Sequence, residues 1–265
     1  MKAPAAALAA GALLSACASS TQSLPAPGAP APSVCADAPG PFRFPILLYH
    51  RIAIPAAEES PARLSLFCPP ALFSAQLNAL VASGYQTVTL RDVEQILAGR
   101  ECAPLRPVVL TFDDGTADHR AAAQELSRRG LRGVFFVVTD WLDDATHVTS
   151  PQLLEMRRLG MEIGSHSRRH PDLRQLSAQQ KSSEIRDSKR RLEKLLQEEV
   201  LSFAYPGGAF DLETAGLVGE AGYRFARATT SGIARMPPGR LELPVIHMLP
   251  ETSAAELLRQ LEAGR

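Results

Sequence analysis

Six histidines occur in the 265-residue chain, and two of them, His166 and His170, stand four apart in "EIGSHSRRHPDL", residues 162–173. Four-residue spacing brings two side chains to one point when a segment turns helically, so a neutral imidazole pair there could share a metal ion. Taken alone, the pair more readily describes two polar residues in a loop, and a metal site needs a further donor. "TFDDG" offers Asp113 and Asp114. Two histidines and one carboxylate suit a catalytic zinc-type ion that keeps positions open to water and substrate. Adjacent aspartates point apart along an extended chain, so one can bind metal while the other serves as base. A helix cap before "TADHRAAAQELSRR", or an Asp-Gly turn, explains one of these aspartates but not both. "HSRRH" lacks the glutamate of the HExxH zincins, and the chain has no GxSxG elbow for a serine hydrolase.

The elements that must position these groups are short apolar runs alternating with helical patterns. The runs cover 44–50, 86–90, 107–112, 132–138, 161–165, 201–205, 223–229 and 243–248. Between them, "PALFSAQLNALVASG" has Leu72, Phe73, Leu77, Leu80 and Val81 at helical spacing with Gly84 suited to its end. "SAQQKSSEIRDSKRRLEKLL" opens with Ser177 and Gln180 placed as a capping box. Continuous apolar strands alternating with helices predict a parallel sheet covered by helices. About eight strands suggest a barrel, although periodicity alone does not separate that from an open doubly wound sheet. The chemically capable groups cluster at strand ends: Asp113 and Asp114 after 107–112, His166 after 161–165, "YPGG" after 201–205, His50 ending the first run and His247 near the end of the last. In both architectures the C-terminal strand ends form the active-site rim. His119 and His147 are read as incidental.

Composition excludes little else. The chain is 45% apolar and carries 28 basic and 28 acidic residues, which gives no electrostatic case for nucleic acid. The "KRR" at 189–191, in a run with Glu184, Asp187, Glu193 and Glu198, reads as the wet face of an amphipathic helix. "MKAPAAALAAGALLSAC" has an early Lys, a short apolar stretch and small residues before Cys17, which predicts an export signal too short to span a membrane. "LSAC" resembles a bacterial lipobox, with Cys17 as the lipidated first mature residue. Residues 18–41, rich in proline and almost free of charge, read as an extended tether reaching roughly 70 Å in polyproline II form. The expected organisation is a signal over 1–17, a tether over 18–41 and one domain over 42–265, placed in the cell envelope and lipid-anchored, on the outer membrane facing the periplasm if the cell has two membranes. Oligomeric state is left open. So is the disulfide pairing among Cys35, Cys68 and Cys102, which spacing does not choose.

From about residue 44 to 250 the chain resembles a polysaccharide deacetylase of carbohydrate esterase family 4, the NodB-like domain. The resemblance rests on "TFDDG", "HSRRH" after "EIGS", "YPGG" and the late "IH", in that order, with support from "FPILLYHRI" and "FFVVTDWL". It implies a distorted (β/α) barrel of about seven to eight strands and a divalent ion, usually zinc. The implied reaction removes N-acetyl groups from sugars of the N-acetylglucosamine type. It assigns Asp114, His166 and His170 to the metal, Asp113 to the base, His247 to the general acid and the Gly207 backbone N–H to the oxyanion. His50, Trp141 and Tyr205 are candidate pocket residues. Two departures stand out. Relatives place an arginine that orients the base two residues before the motif proline, or shortly before the final histidine, and here those segments hold Ala204 and Val245. The orienting partner of Asp113 is therefore unassigned. An O-acetyl esterase and a lipid-anchored glycan-binding module with a vestigial site are the competing readings.

Overall fold

The computed structural model describes Met1 and residues 33–34, 42–236 and 239–263. The expected signal, the lipobox cysteine Cys17, Cys35 and most of the tether lie outside the described residues. The compact unit begins at Pro32, and Ser33–Val34 pairs antiparallel with Ala103–Pro104. Cys102 is disulfide-bonded, with its partner outside the described residues, whereas Cys68 is a buried free thiol.

Seven of the apolar runs become barrel strands: β1 (Ile46–Tyr49), β2 (Pro107–Phe112), β3 (Val134–Val137), β4 (Glu162–Ser165), β5 (Ser202–Ala204), β6 (Phe225–Ser231) and β7 (Leu243–His247). Every neighbouring pair is parallel, and β1 pairs with both β7 and β2, which closes the ring. The eighth run contributes only Gln86–Thr87, lying outside the ring against Pro107 and Val108. Its remainder turns into a helix, because Thr89 and Asp92 form a reciprocal capping box. The closed parallel barrel, rather than the open sheet, is the architecture.

Strand alternation divides the core in two. Ile46, Leu48, Val109, Val134, Phe136, Ala204, Phe225 and Val245 fill the barrel interior. Leu47, Tyr49, Leu110, Phe112, Phe135, Ile163 and Phe203 face outward against the helices. Those helices include α1 (Pro70–Ala82), α2 (Leu90–Leu97), α3 (His119–Arg128), α4 (Ser150–Arg158) and α5 (Ala178–Leu196). Gly84 takes a φ of 73° just past α1, and the Ser177–Gln180 box starts α5. Gly164 has a packing reason: a Cβ there would stand 2.5 Å from the Phe136 ring inside the barrel.

Helix α5 corrects one expectation. Lys181, Glu184, Ile185, Ser188, Lys189, Leu192 and Leu196 form its buried face. Arg190 and Arg191 reach solvent, but Lys189 lies over the Tyr223 ring at 4.9 Å and donates to the Val200 carbonyl. The "KRR" run is split by the 3.6-residue period rather than exposed as a block.

Candidate active site

Two-residue alternation aims a residue at or just past the end of four strands into the barrel mouth. Beyond Ile46 and Leu48 comes His50, beyond Val109 comes Asp113, beyond Gly164 comes His166, and beyond Val245 comes His247. The side chains of His50, Asp113 and His166 meet as this parity requires. His166 Nε2 lies 3.8 Å from Asp113 Oδ2 and 3.6 Å from Asp114 Oδ1, and His170 Nε2 lies 3.7 Å from the same Asp114 oxygen.

Adjacent aspartates reach one point because the chain does not stay extended. Asp114 has a φ of 77° and Gly115 one of 73°, so the backbone reverses directly after β2. Ser167 and His170 also lie in the left-handed region, at 64° and 62°. Non-glycine residues rarely adopt this conformation, and such strain clusters at functional sites.

Asp114, His166 and His170 offer one ligand atom each, all within 4.8 Å of one another. A tetrahedral ion with bonds of about 2.0–2.1 Å wants neighbouring donors roughly 3.4 Å apart, close to the two separations from Asp114. The imidazole of His166 is pre-set as well. Its Nδ1–H donates to the Ala204 carbonyl at 2.8 Å, which leaves the Nε2 lone pair aimed at the cluster. Burial, reinforced by the charges of His170 and Arg227, brings the His166 pKa down to about 4 against the pull of the two aspartates. The residues present therefore fit a divalent ion.

Asp113 is 3% exposed, and its partner is one that sequence reasoning missed. The fully buried Arg227 on β6 donates from Nη2 to Asp113 Oδ1, and its guanidinium lies 5.2 Å over the Phe136 ring. Its register opposite Ala204 explains the substitution in the motif: a small residue on β5 leaves the space that the β6 arginine fills. The signal was present in "YRFARAT", where Arg227 shares the inward parity of Phe225 and a buried guanidinium demands an acidic partner. Burial works to raise the Asp113 pKa, but Arg227, His166 and His50 outweigh it and hold the carboxyl at about 2.

The second oxygen, Oδ2, faces the open side, with His50 Nε2 at 3.9 Å. His50 is held from below by His119, whose Nε2 bonds the His50 carbonyl, so His119 is not incidental. His247 Nε2 donates to the Thr229 carbonyl at 2.8 Å, and Nδ1 remains for chemistry. Gly207 is exposed, with a φ of 60° and open space where a Cβ would sit. Gly208 beside it has no such room, since a Cβ would fall 2.0 Å from Thr229 Oγ1. Gly208 thus seats "YPGG" directly on the strand whose carbonyl holds His247.

Trp141 stacks on the ring of His170 at 5.5 Å and meets His147 in a tilted contact at 4.9 Å, so it braces a cluster residue. Tyr205 is not brought to the site. It is fully buried in the outer core, stacked on Phe210 at 4.5 Å with its hydroxyl on the Leu241 carbonyl. Parity gives the reason: Ala204 points inward, so Tyr205 must point outward.

This constellation has known counterparts. The family Polysaccharide deacetylase matches residues 100–226. The Streptococcus pyogenes deacetylase PplD, solved in complex with acetate, is 32% identical with a TM-score of 0.79, over 83% of this chain and 99% of that one. The chain belongs to the polysaccharide deacetylase family. YxkH of Bacillus subtilis (strain 168), which carries a provisional polysaccharide deacetylase name, is 29% identical over 224 residues, 84% of this chain and 77% of YxkH. A Bacillus anthracis structure with the same kind of name shares the fold at 23% identity and a TM-score of 0.75, over 83% of this chain and 69% of that chain. As a member of this hydrolase family, the polysaccharide deacetylase described here has the (β/α) barrel of its relatives.

Proposed function

We propose that this deacetylase is a metal-dependent hydrolase that removes N-acetyl groups from an amino-sugar glycan of the N-acetylglucosamine type. The observation that carries the reading is the meeting of the Asp114–His166–His170 cluster with a second carboxylate, Asp113, locked by a buried arginine at the barrel mouth. A divalent ion held by the cluster, zinc by its nitrogen-rich donor set, would polarise the acetamide carbonyl and acidify a water molecule.

The chain's own groups divide the remaining work. Asp113 keeps Oδ1 on Arg227 and takes the water proton at Oδ2 as the oxygen attacks the carbonyl carbon. The Gly207 N–H meets the developing oxyanion, where the missing side chain permits close approach. His247, with Nε2 bonded to the Thr229 carbonyl, gives the proton on Nδ1 to the amine nitrogen as the C–N bond breaks. Acetate and the free amino sugar are the products. His50 borders the Asp113 oxygen on the substrate side. Export and a lipid on Cys17 would place this reaction in the cell envelope.

The test is acetate release from a panel of N- and O-acetylated glycans, with metal-free and zinc-loaded protein side by side. Zinc-dependent release from N-acetylated glucosamine oligomers is expected. Release from O-acetylated glycans alone would assign an esterase, and zinc binding without release from any substrate would leave a binding module.

A further inference from the structure

The five residues from His166 to His170 carry two of the three metal-cluster side chains and two left-handed backbone positions. Such a segment needs every backbone group satisfied if it is to hold its shape. On its carbonyl side, Thr139 N–H donates to the Ser167 oxygen at 3.2 Å and Asp140 N–H to the Arg168 oxygen at 2.9 Å. His166 N–H reaches the Val137 carbonyl at 2.9 Å, and His170 N–H reaches Ser167 Oγ at 2.9 Å. Of the remaining N–H groups, those of Arg168 and Arg169 are taken by one side chain. Glu184, fully buried on α5, accepts them on Oε2 at 3.1 and 2.8 Å and takes Arg169 Nε on Oε1 at 2.7 Å.

We propose that Glu184 is a positioning residue for the metal cluster: its carboxylate clamps the backbone between the two histidines and thereby sets the affinity of the site for a divalent ion. Three donors converge on a carboxylate that touches neither ligand, so Glu184 acts through the loop. A carboxylate suits the task because it only accepts, and both of its oxygens face N–H groups. The clamp keeps His170 at its left-handed φ before any ion arrives, so binding does not have to order the loop. Arg169, whose side chain is 61% exposed, closes the far oxygen and can swing away.

The inference rests on the metal-dependent reading, and its experiment needs no glycan. Zinc affinity of the full chain is measured by competition with a chromogenic chelator for wild type, Glu184→Ala, Glu184→Gln, Arg169→Ala and Leu192→Ala. Glu184→Ala orphans two backbone donors and should weaken zinc by about 10–100-fold, the usual effect of losing a group that orients a ligand. Glu184→Gln keeps a carbonyl for both N–H groups and should recover part of that loss. Arg169→Ala should stay near wild type. Leu192→Ala, a core truncation on the same helix, should lower thermal stability while leaving zinc affinity unchanged, which separates positioning from general loosening. Wild-type affinity in Glu184→Ala, or an equal loss in Leu192→Ala, overturns the clamp alone. A wild-type chain with no affinity for zinc overturns the metal-dependent reading as well.

Discussion

The barrel buries an inward-facing carboxylate at each end, Asp113 just past β2 and Glu162 at the start of β4, and the two are treated in opposite ways. At the mouth, Asp113 receives a full cation from Arg227 and is held ionised, its carboxyl at about 2. At the foot, the hydrogen bonds to Glu162 come from neutral groups, Ser202 Oγ at 2.7 Å and Arg91 N–H at 2.8 Å, and the Arg91 charge adds a lesser pull. Burial there outweighs the hydrogen bonds and pushes its pKa up. Both groups are at least 94% removed from solvent, so depth is not what separates them. The difference lies in whether the bonding group itself carries the charge, as the Arg227 guanidinium does and the Arg91 backbone N–H does not. A charge partner keeps a carboxylate ionised, whereas neutral hydrogen bonds make it a strut that ties β4 and β5 to the start of α2.

The widest gap should appear on exchanging each carboxyl for its amide. Asp113→Asn is expected to lower acetate release by about 10²–10⁴-fold while zinc stays bound, as loss of a positioned base does. Glu162→Gln should leave the rate within about twofold, since Gln can still accept from Arg91 and donate to Ser202. Steady-state rates with metal content measured on the same samples check both. If the two amides proved equally active, the contrast between the ends would collapse.

Removing the cation instead should strand the mouth carboxylate. Arg227→Met leaves Asp113 buried without its charge partner, which typically destabilises by about 3–5 kcal/mol. Denaturant unfolding should show that loss. Where the variant folds, the acid limb of its pH–rate profile should move upward, because Asp113 no longer has the guanidinium that holds it ionised.

His247 tests the division of labour proposed at the mouth. His247→Ala should cost an amide substrate about 10²–10⁴-fold and an activated ester much less, since that leaving group needs little protonation. Equal losses on the two substrates, at unchanged metal content, would make His247 structural.

The smallest effect is a pair of opposite pH slopes, read from unfolding of chelator-treated protein. Asp113 has a lowered folded pKa, so its contribution is complete above about pH 4 and fades as pH falls toward 2. The deficit of Asp113→Asn should therefore shrink with acid. Glu162 has a raised folded pKa, so it carries no penalty below about pH 4.5 and a growing one as pH rises through its folded value. Glu162→Gln should gain on wild type in that direction. His166 adds a slope to both backgrounds: with its folded pKa at about 4, stability falls as pH drops from about 6.5 toward 4. Parallel curves for the two amides would show that the ends of the barrel do not differ in charge state.

Much of this was legible in one dimension. The eight apolar runs, the capping box of α5 and the placement of Asp113, Asp114, His166 and His247 at strand ends follow from short-range periodicity, which local sterics and hydrogen bonding impose on any chain. The metal-cluster residues were legible because their chemistry is written in the side chains and their spacing in the strand order. Ring closure was not legible, since it depends on β1 meeting both β2 and β7, a pairing between segments far apart in sequence. The same holds for the partner of Asp113. Arg227 stands 114 residues away on another strand, and only the closed barrel brings its guanidinium to that carboxylate. Tyr205 was drawn to the site by its neighbours in sequence and turned from it by strand parity, while Glu184 was read as wet and lies buried under the loop it holds. Sequence determines which groups can do chemistry and which end of each strand carries them. Tertiary structure alone decides which buried charges meet, because that depends on three-dimensional distance and on the space a neighbour such as Ala204 leaves empty.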